Sequence, residues 1–179
     1  MTHNTITDKE RQSALDSLAR TRQTLLDAVD GVSEEQAKWR PAPDRWSILE
    51  YVEHLAISDD QLIAMIERSL KEPARPETEE ERRARQEKIR STPMPRGVNH
   101  APHFLQPTSR FTTLAEATDA FLAARERTIE YARTVQHDLR SHFTNHSVLG
   151  PMDGYQWLVA NARHVENHAA HIREIRAVA

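Results

Sequence analysis

Asn161-Ala-Arg-His164-Val-Glu-Asn-His168-Ala-Ala-His171-Ile-Arg-Glu-Ile175, near the end of the 179-residue sequence, decides how the chain is read. On a helix, with about 100° between successive residues, His168 lies about 40° to one side of His164 and His171 about 20° to the other. The three imidazoles share one arc. Trp157, Ala160, Ile172 and Ile175 fall on the same side, whereas Arg163, Glu166, Arg173 and Arg176 point elsewhere, so a histidine band crosses an apolar stripe that faces the interior. A lone histidine on such a stripe is ordinarily a hydrogen-bonded core residue. Three together are costly to bury without partners, and one divalent cation satisfies two or three of their lone pairs at once. His164 and His168 form the better pair, since i,i+4 side chains have Cβ atoms about 5–6 Å apart and both rings can reach one ion at about 2.0–2.1 Å. His171 is either a third ligand or a neighbour of the ligands; spacing leaves both open.

Composition bounds what such a site serves. The chain has 24 Lys+Arg against 27 Asp+Glu and a net charge of −3, so no global basic field draws in nucleic acid or an acidic membrane. It has no cysteine, which excludes disulfides, thiolate ligands and a catalytic thiol. The N-terminus carries no basic region followed by an apolar run, and no apolar stretch reaches membrane-spanning length, so a soluble cytoplasmic protein without a membrane partner is expected. Four glycines beside abundant Ala, Leu, Glu and Arg favour helix over sheet.

Helical periodicity recurs along the chain. Thr7 or Asp8 caps a first helix carried by Leu15, Leu18, Leu25, Leu26 and Val29 and ended by Gly31. A capping box at Ser33-Glu-Glu-Gln36 predicts one short helical turn before Pro41 and Pro43. Ser47-Ile-Leu-Glu50 opens a second helix whose stripe runs through Ile48, Val52, Leu55, Leu62, Ile66 and Leu70 to Pro73. His54 lies about 120° from the centre of that stripe, the place of an ordinary half-exposed histidine. From about residue 72 to 113 the chain becomes an insertion. Thr78–Arg90 is nearly all charged, a solvated helix or arm with no face to bury, and Pro93, Pro95, Gly97, Pro102 and Pro107 punctuate an irregular crossover long enough to cover a site. His100 and His103 within it read as plain loop residues. Thr113 and Glu116 start a third helix that packs inward through Phe121, Ala124 and Ile129 as far as about His137. Ser141–Pro151 reads as a connector and Asp153 as the cap of the fourth helix. His142 and His146 would lie about 20 Å from His164 along that axis, which makes both weak ligand candidates.

The expected fold is all-α: one domain spanning 1–179, a four-helix bundle with a long crossover between helices two and three, the kind of fold that builds metal sites from facing helices. A di-iron carboxylate bundle is not indicated, because no Glu-x-x-His pair occurs on these helices. His-Glu-x-x-His, a phosphate-binding glycine loop and Gly-x-Ser-x-Gly are also absent.

Several stretches in order match a known pattern: Trp39-Arg-Pro-Ala-Pro43, Arg45-Trp-Ser-Ile48 and Glu50-Tyr-Val-Glu-His54-Leu55, then Ala101-Pro102, Pro107 and Phe121-x-x-x-Arg125. His146-Ser-Val-Leu-Gly150-Pro-Met152, Tyr155-Gln-Trp-Leu158 and His164-x-x-x-His168-x-x-His171-Ile172 complete it. Over most of its length the chain resembles the DinB-like superfamily of four-helix, divalent-metal-binding proteins, which includes YfiT-type metal-dependent hydrolases and bacterial thiol-dependent S-transferases. The resemblance implies one histidine of helix two and an i,i+4 pair of helix four as ligands, which here are His54, His164 and His168. It implies a position beside the ligands for His171, where glutamine is common, and it departs at Ser147, where proline is common.

Three imidazoles leave a divalent ion with an open position, the arrangement of a catalytic site. Glu50, Glu53, Asn161 and His171 are the candidates to orient a ligand or carry a proton. Imidazole ligation suits Zn or Ni first, with Fe or Mn as further candidates, one ion per chain. The expected function is a metal-dependent enzyme, a hydrolase or a thiol-dependent S-transferase, acting on a small-molecule substrate with a low-molecular-weight thiol in the second case. A non-catalytic metal-binding bundle, serving as a stress or interaction module, is the competing reading. A homodimer is expected from surplus apolar surface on the first helix around Leu25 and Leu26.

Overall fold

In the computed structural model, residues 6–93 and 101–179 are described; His100, Pro95 and Gly97 of the crossover lie outside them. Four long helices, α1 (Asp8–Val29), α3 (Ile48–Ser69), α5 (Leu114–Thr134) and α6 (Gly154–Arg176), form the bundle. A short α2 (Glu34–Lys38) lies between the first two, and α4 (Glu79–Ser91) lies in the crossover. Each of the six α-helices opens on a capping box, with Thr7, Ser33, Ser47, Thr78, Thr113 and Asp153 as the caps. These reciprocal bonds satisfy backbone N–H groups that the helix itself leaves unpaired; Ser33, Ser47, Thr113 and Asp153 cap where the sequence placed them, Thr7 was one of two caps it offered, and Thr78 was not singled out.

Contacts between helices fix their directions. Arg20 pairs with Glu166, Arg173 donates to the Thr24 carbonyl and Arg176 to that of Ala28, so α1 and α6 run together. Arg11 donates to the Ala132 carbonyl while Arg22 faces Glu126, so α5 opposes α1. Gly154 abuts Ile66 and the Tyr51 ring meets that of His168, so α3 opposes α6. It follows that α3 and α5 are parallel neighbours. A chain leaving the end of α3 must travel back along the bundle before α5 can begin, and the long crossover is that return.

Two differences from expectation concern the connections. The acid-to-base segment folds as α4 but does have something to bury: Ile89 is buried, Arg85 Nη1 donates to the Pro151 carbonyl (2.9 Å), and its guanidinium lies 4.5 Å over the Phe143 ring. Arginine stems supply apolar contact that a simple count of charges misses. The 141–151 connector contains an antiparallel hairpin, β1 (Phe143–His146) with β2 (Gly150–Asp153), paired from Phe143↔Asp153 to His146↔Gly150. Gly150 closes the turn at φ +79°, a conformation that suits glycine. At Gly154 a Cβ would come within 2.9 Å of Leu139, so glycine lets the hairpin pass tightly into α6.

The core has two apolar clusters. One gathers Leu18, Ile66, Leu139, Met152 and Leu158, and the other Leu25, Ile48, Leu55, Phe121, Val165 and Ile172. Between them lies a buried polar layer: Asp59 accepts from Arg125 Nη2 (2.7 Å) and Thr128 Oγ1 (3.0 Å), with Arg125 and Thr128 both fully buried. The surplus apolar face expected on α1 is not present, since Leu25 is buried and Leu26 half-buried. Among the described residues no helix is long and apolar enough to cross a membrane.

Candidate metal centre

α3 places His54 and α6 places His164 and His168 on facing sides of one interhelical seam. The Nε2 atoms of His54 and His164 lie 3.0 Å apart, those of His168 and His164 2.8 Å apart, and one ligating nitrogen from each ring falls within 4.8 Å of the others. Three lone-pair-bearing nitrogens so close together have no mutual donor set that satisfies them all, whereas a single cation does. His54 Nδ1 donates to the Leu105 carbonyl at 2.7 Å, which fixes that proton and leaves Nε2 as the ligating atom. Burial lowers the pKa of His54, against the opposing effect of that carbonyl. Burial first, and then the neighbouring imidazoles, hold His164 and His168 well below the usual histidine value. All three rings are thereby kept in the neutral form that binds a metal.

His54 is only 3% exposed, not half-exposed as its angle on the helix suggested. Its face of α3 is covered by the returning crossover. The same strand of chain is held by Glu53, whose Oε1 accepts from the backbone N–H groups of Thr108 (2.7 Å) and Arg110 (3.1 Å). Rings confine the imidazoles further: Trp46 is 4.9 Å from His54, and Tyr51 5.2 Å from His168.

The trio forms part of the wall of a cavity of about 430 Å³, lined mainly by apolar side chains such as Leu62, Met65 and Trp157. Phe104 and Val148 also line it and are exposed, which puts them at its mouth. His171 lines the cavity with its ring 5.6 Å from that of His168, outside the converging group. Asn161 lines it too. Its side chain is bonded to Asp59, and because a carboxylate only accepts, the amide nitrogen faces Asp59 and Oδ1, which has no partner, is left over. Ser58 Oγ is a second buried, unpartnered atom of a residue on this wall.

Glu50 and Glu53 do not reach the cavity. Glu50 closes the α3 capping box through the Ser47 N–H (2.8 Å) and pairs with Arg40, while Glu53 fastens the crossover. His103 stays outside the lining, and His142 donates to the Glu72 carbonyl. His146 is different. The hairpin turns back along α6 instead of extending its axis, so the expected separation does not apply, and His146 joins the cavity wall with its ring 5.4 Å from Trp157. No periodicity signals this, because the reversal occurs within a turn.

Solved structures share the architecture. YfiT from Bacillus subtilis, described as a probable metal-dependent hydrolase with an unusual four-helix bundle topology, aligns with a TM-score of 0.62 and 17% identity, covering 97% of this chain and 90% of its own. A conserved protein from Enterococcus faecalis aligns with a TM-score of 0.61 and 15% identity, covering 94% of this chain and 97% of its own. At these identities the likeness is one of fold. No curated protein matches the chain. A sequence model of the DinB superfamily matches residues 17–172, which takes in all of α3, α5 and the three converging histidines. The chain belongs to the DinB superfamily.

Proposed function

We propose that this protein is a metal-dependent enzyme acting on a small molecule, a hydrolase or a thiol-dependent S-transferase, with His54, His164 and His168 holding one divalent ion. The convergence of three neutral imidazole nitrogens on the wall of a roomy cavity carries this reading. Zn or Ni suits such a donor set best, with Fe or Mn as further candidates. A bound ion supplies Lewis-acid chemistry there, polarising a carbonyl and lowering the pKa of a water or thiol. The Leu105 carbonyl keeps Nε2 of His54 available, and the apolar lining limits the water around the reacting group. With no cysteine in the chain, the attacking group is best supplied from outside as water or as the sulfur of a low-molecular-weight thiol.

A closed shell would favour the non-catalytic bundle, but among the described residues no fourth histidine or carboxylate joins the converging group. A homodimer is proposed as well, although the α1 face that suggested it is covered within the chain, and sedimentation giving only the 20.6 kDa monomer would remove it. Small acyl esters and amides, offered with and without an added thiol, test the activity. Turnover should stop on chelation and return with added metal. Oxygen from labelled water in the product identifies the hydrolase, and the thiol's sulfur in the product identifies the transferase. Full turnover in metal-free protein contradicts both.

A further inference from the structure

His146 sits in the cavity wall without belonging to the converging trio. It ends β1, and the turn that follows folds back on its ring. The backbone N–H groups of Val148 (3.0 Å) and Leu149 (3.2 Å) both donate to its Nδ1. A ring nitrogen that accepts two N–H donors carries no proton, so the single proton of the neutral ring is on Nε2. Charging the ring would break both bonds. The ring is also fixed in place: it packs against the Trp157 indole, whose Nε1 donates to Thr144 Oγ1 (2.9 Å) on the same hairpin. Nε2 makes no hydrogen bond to any described residue. A rigid donor is thus available on the wall of a mainly apolar cavity.

We propose that His146 is a substrate-binding group, a neutral imidazole that donates its Nε2–H to the oxygen of a carbonyl compound bound in the cavity shared with the histidine trio. A donor selects a ligand with an accepting oxygen, so the class is an acyl or carbonyl compound whose apolar body suits the apolar part of the wall; Arg45 and Arg163 also line the cavity, the latter engaged with the Ile89 and Thr92 carbonyls. A protonated Nε2 is no ligand, which separates this role from a fourth coordination bond. The inference rests on the enzyme reading in taking the cavity as the substrate site, but it does not depend on a bound ion.

The test uses full-length protein with isotope-labelled histidine, first treated with chelator, and reads the ring nitrogens by NMR. His146, identified by the loss of its signals in His146→Asn, should show unprotonated Nδ1 and protonated Nε2. Methyl pentyl ketone should shift the Nε2–H signal saturably, and heptene, with a similar body and no oxygen, should not. Asn keeps an acceptor for the Val148 and Leu149 N–H groups but lacks the distal donor, so His146→Asn should bind the ketone about five-fold more weakly. If that variant fails to fold, the wild-type nitrogen signals and the ketone–heptene comparison still decide. A proton on Nδ1, equal response to ketone and heptene, or loss of the Nε2 proton on adding Zn overturns the proposal. If the protein binds no metal while the ketone still shifts Nε2–H, the enzyme reading falls and the His146 donor stands.

Discussion

Burial keeps the imidazoles of His54, His164 and His168 neutral, and this links the site to stability. An unfolded histidine takes up a proton near pH ~6.5, whereas these three resist it until lower pH. Below that value the unfolded chain binds more protons than the folded one, so stability present at neutral pH is lost as pH falls through the lowered folded values. Burial also pushes Asp153 up to about 6, which works in the opposite direction over the same range, so the trio is read by comparison: the fall in urea midpoint of metal-free protein from about pH 7.5 to about pH 5.5 should be smaller in His168→Asn than in wild type, and the same pH dependence in both would contradict the neutral trio. Ser58 offers an opposite test. Its buried hydroxyl has no partner, so Ser58→Ala should leave stability unchanged or raise it by up to about 1 kcal/mol, and a clear loss would mean that the hydroxyl is bonded in solution. At this scale His164 and His168 were legible, because both lie on one helix and spacing alone relates them. His54 was not legible from spacing: its burial comes from chain about fifty residues away in sequence, and only the family resemblance pointed to it. The tautomer of His146 depends on two turn amides that no helical or strand period encodes.

α3 is amphipathic by sequence yet buries Glu53, His54, Ser58 and Asp59 beside its apolar stripe. The returning crossover and α6 cover those positions, and a covered polar face on a central helix is where a site can be built. Glu53 ties the crossover to α3, so Glu53→Ala leaves the Thr108 and Arg110 amides without their acceptor. The variant should lose about 2–3 kcal/mol of stability. It should also bind metal about ten-fold more weakly, because the Leu105 carbonyl that orients His54 sits on the loosened segment. Hydrogen exchange at Thr108 and Arg110 should speed up; unchanged exchange with unchanged metal affinity would remove this role. The helix starts were legible because capping boxes are local. The hairpin was not, since its four-residue strands are too short to show alternation and one contains Pro151.

Across the whole molecule, the Asp59–Arg125 pair joins α3 to α5 in the layer that separates the two apolar clusters. Arg125→Leu would leave a buried carboxylate without its counter-charge, and chemical denaturation should show a loss of about 3–5 kcal/mol; a neutral result would mean that Asp59 is protonated or hydrated in the variant. The bundle and its crossover were legible from four amphipathic segments and one long polar interval. Their parallel and antiparallel pairing was not, because amphipathic stripes say which face is buried but not which neighbour covers it. The cavity belongs to this scale as well, enclosed by α3, α6, the crossover and the hairpin together.

Whether His54, His164 and His168 hold one ion is decided by metal analysis of the purified, metal-loaded protein and of His54→Ala, His164→Ala and His168→Ala, each with its helical signal checked. One divalent ion per wild-type chain is expected, with a large loss in each folded variant. Full occupancy in any of the three variants, or a wild-type protein that retains no ion, would contradict that assignment.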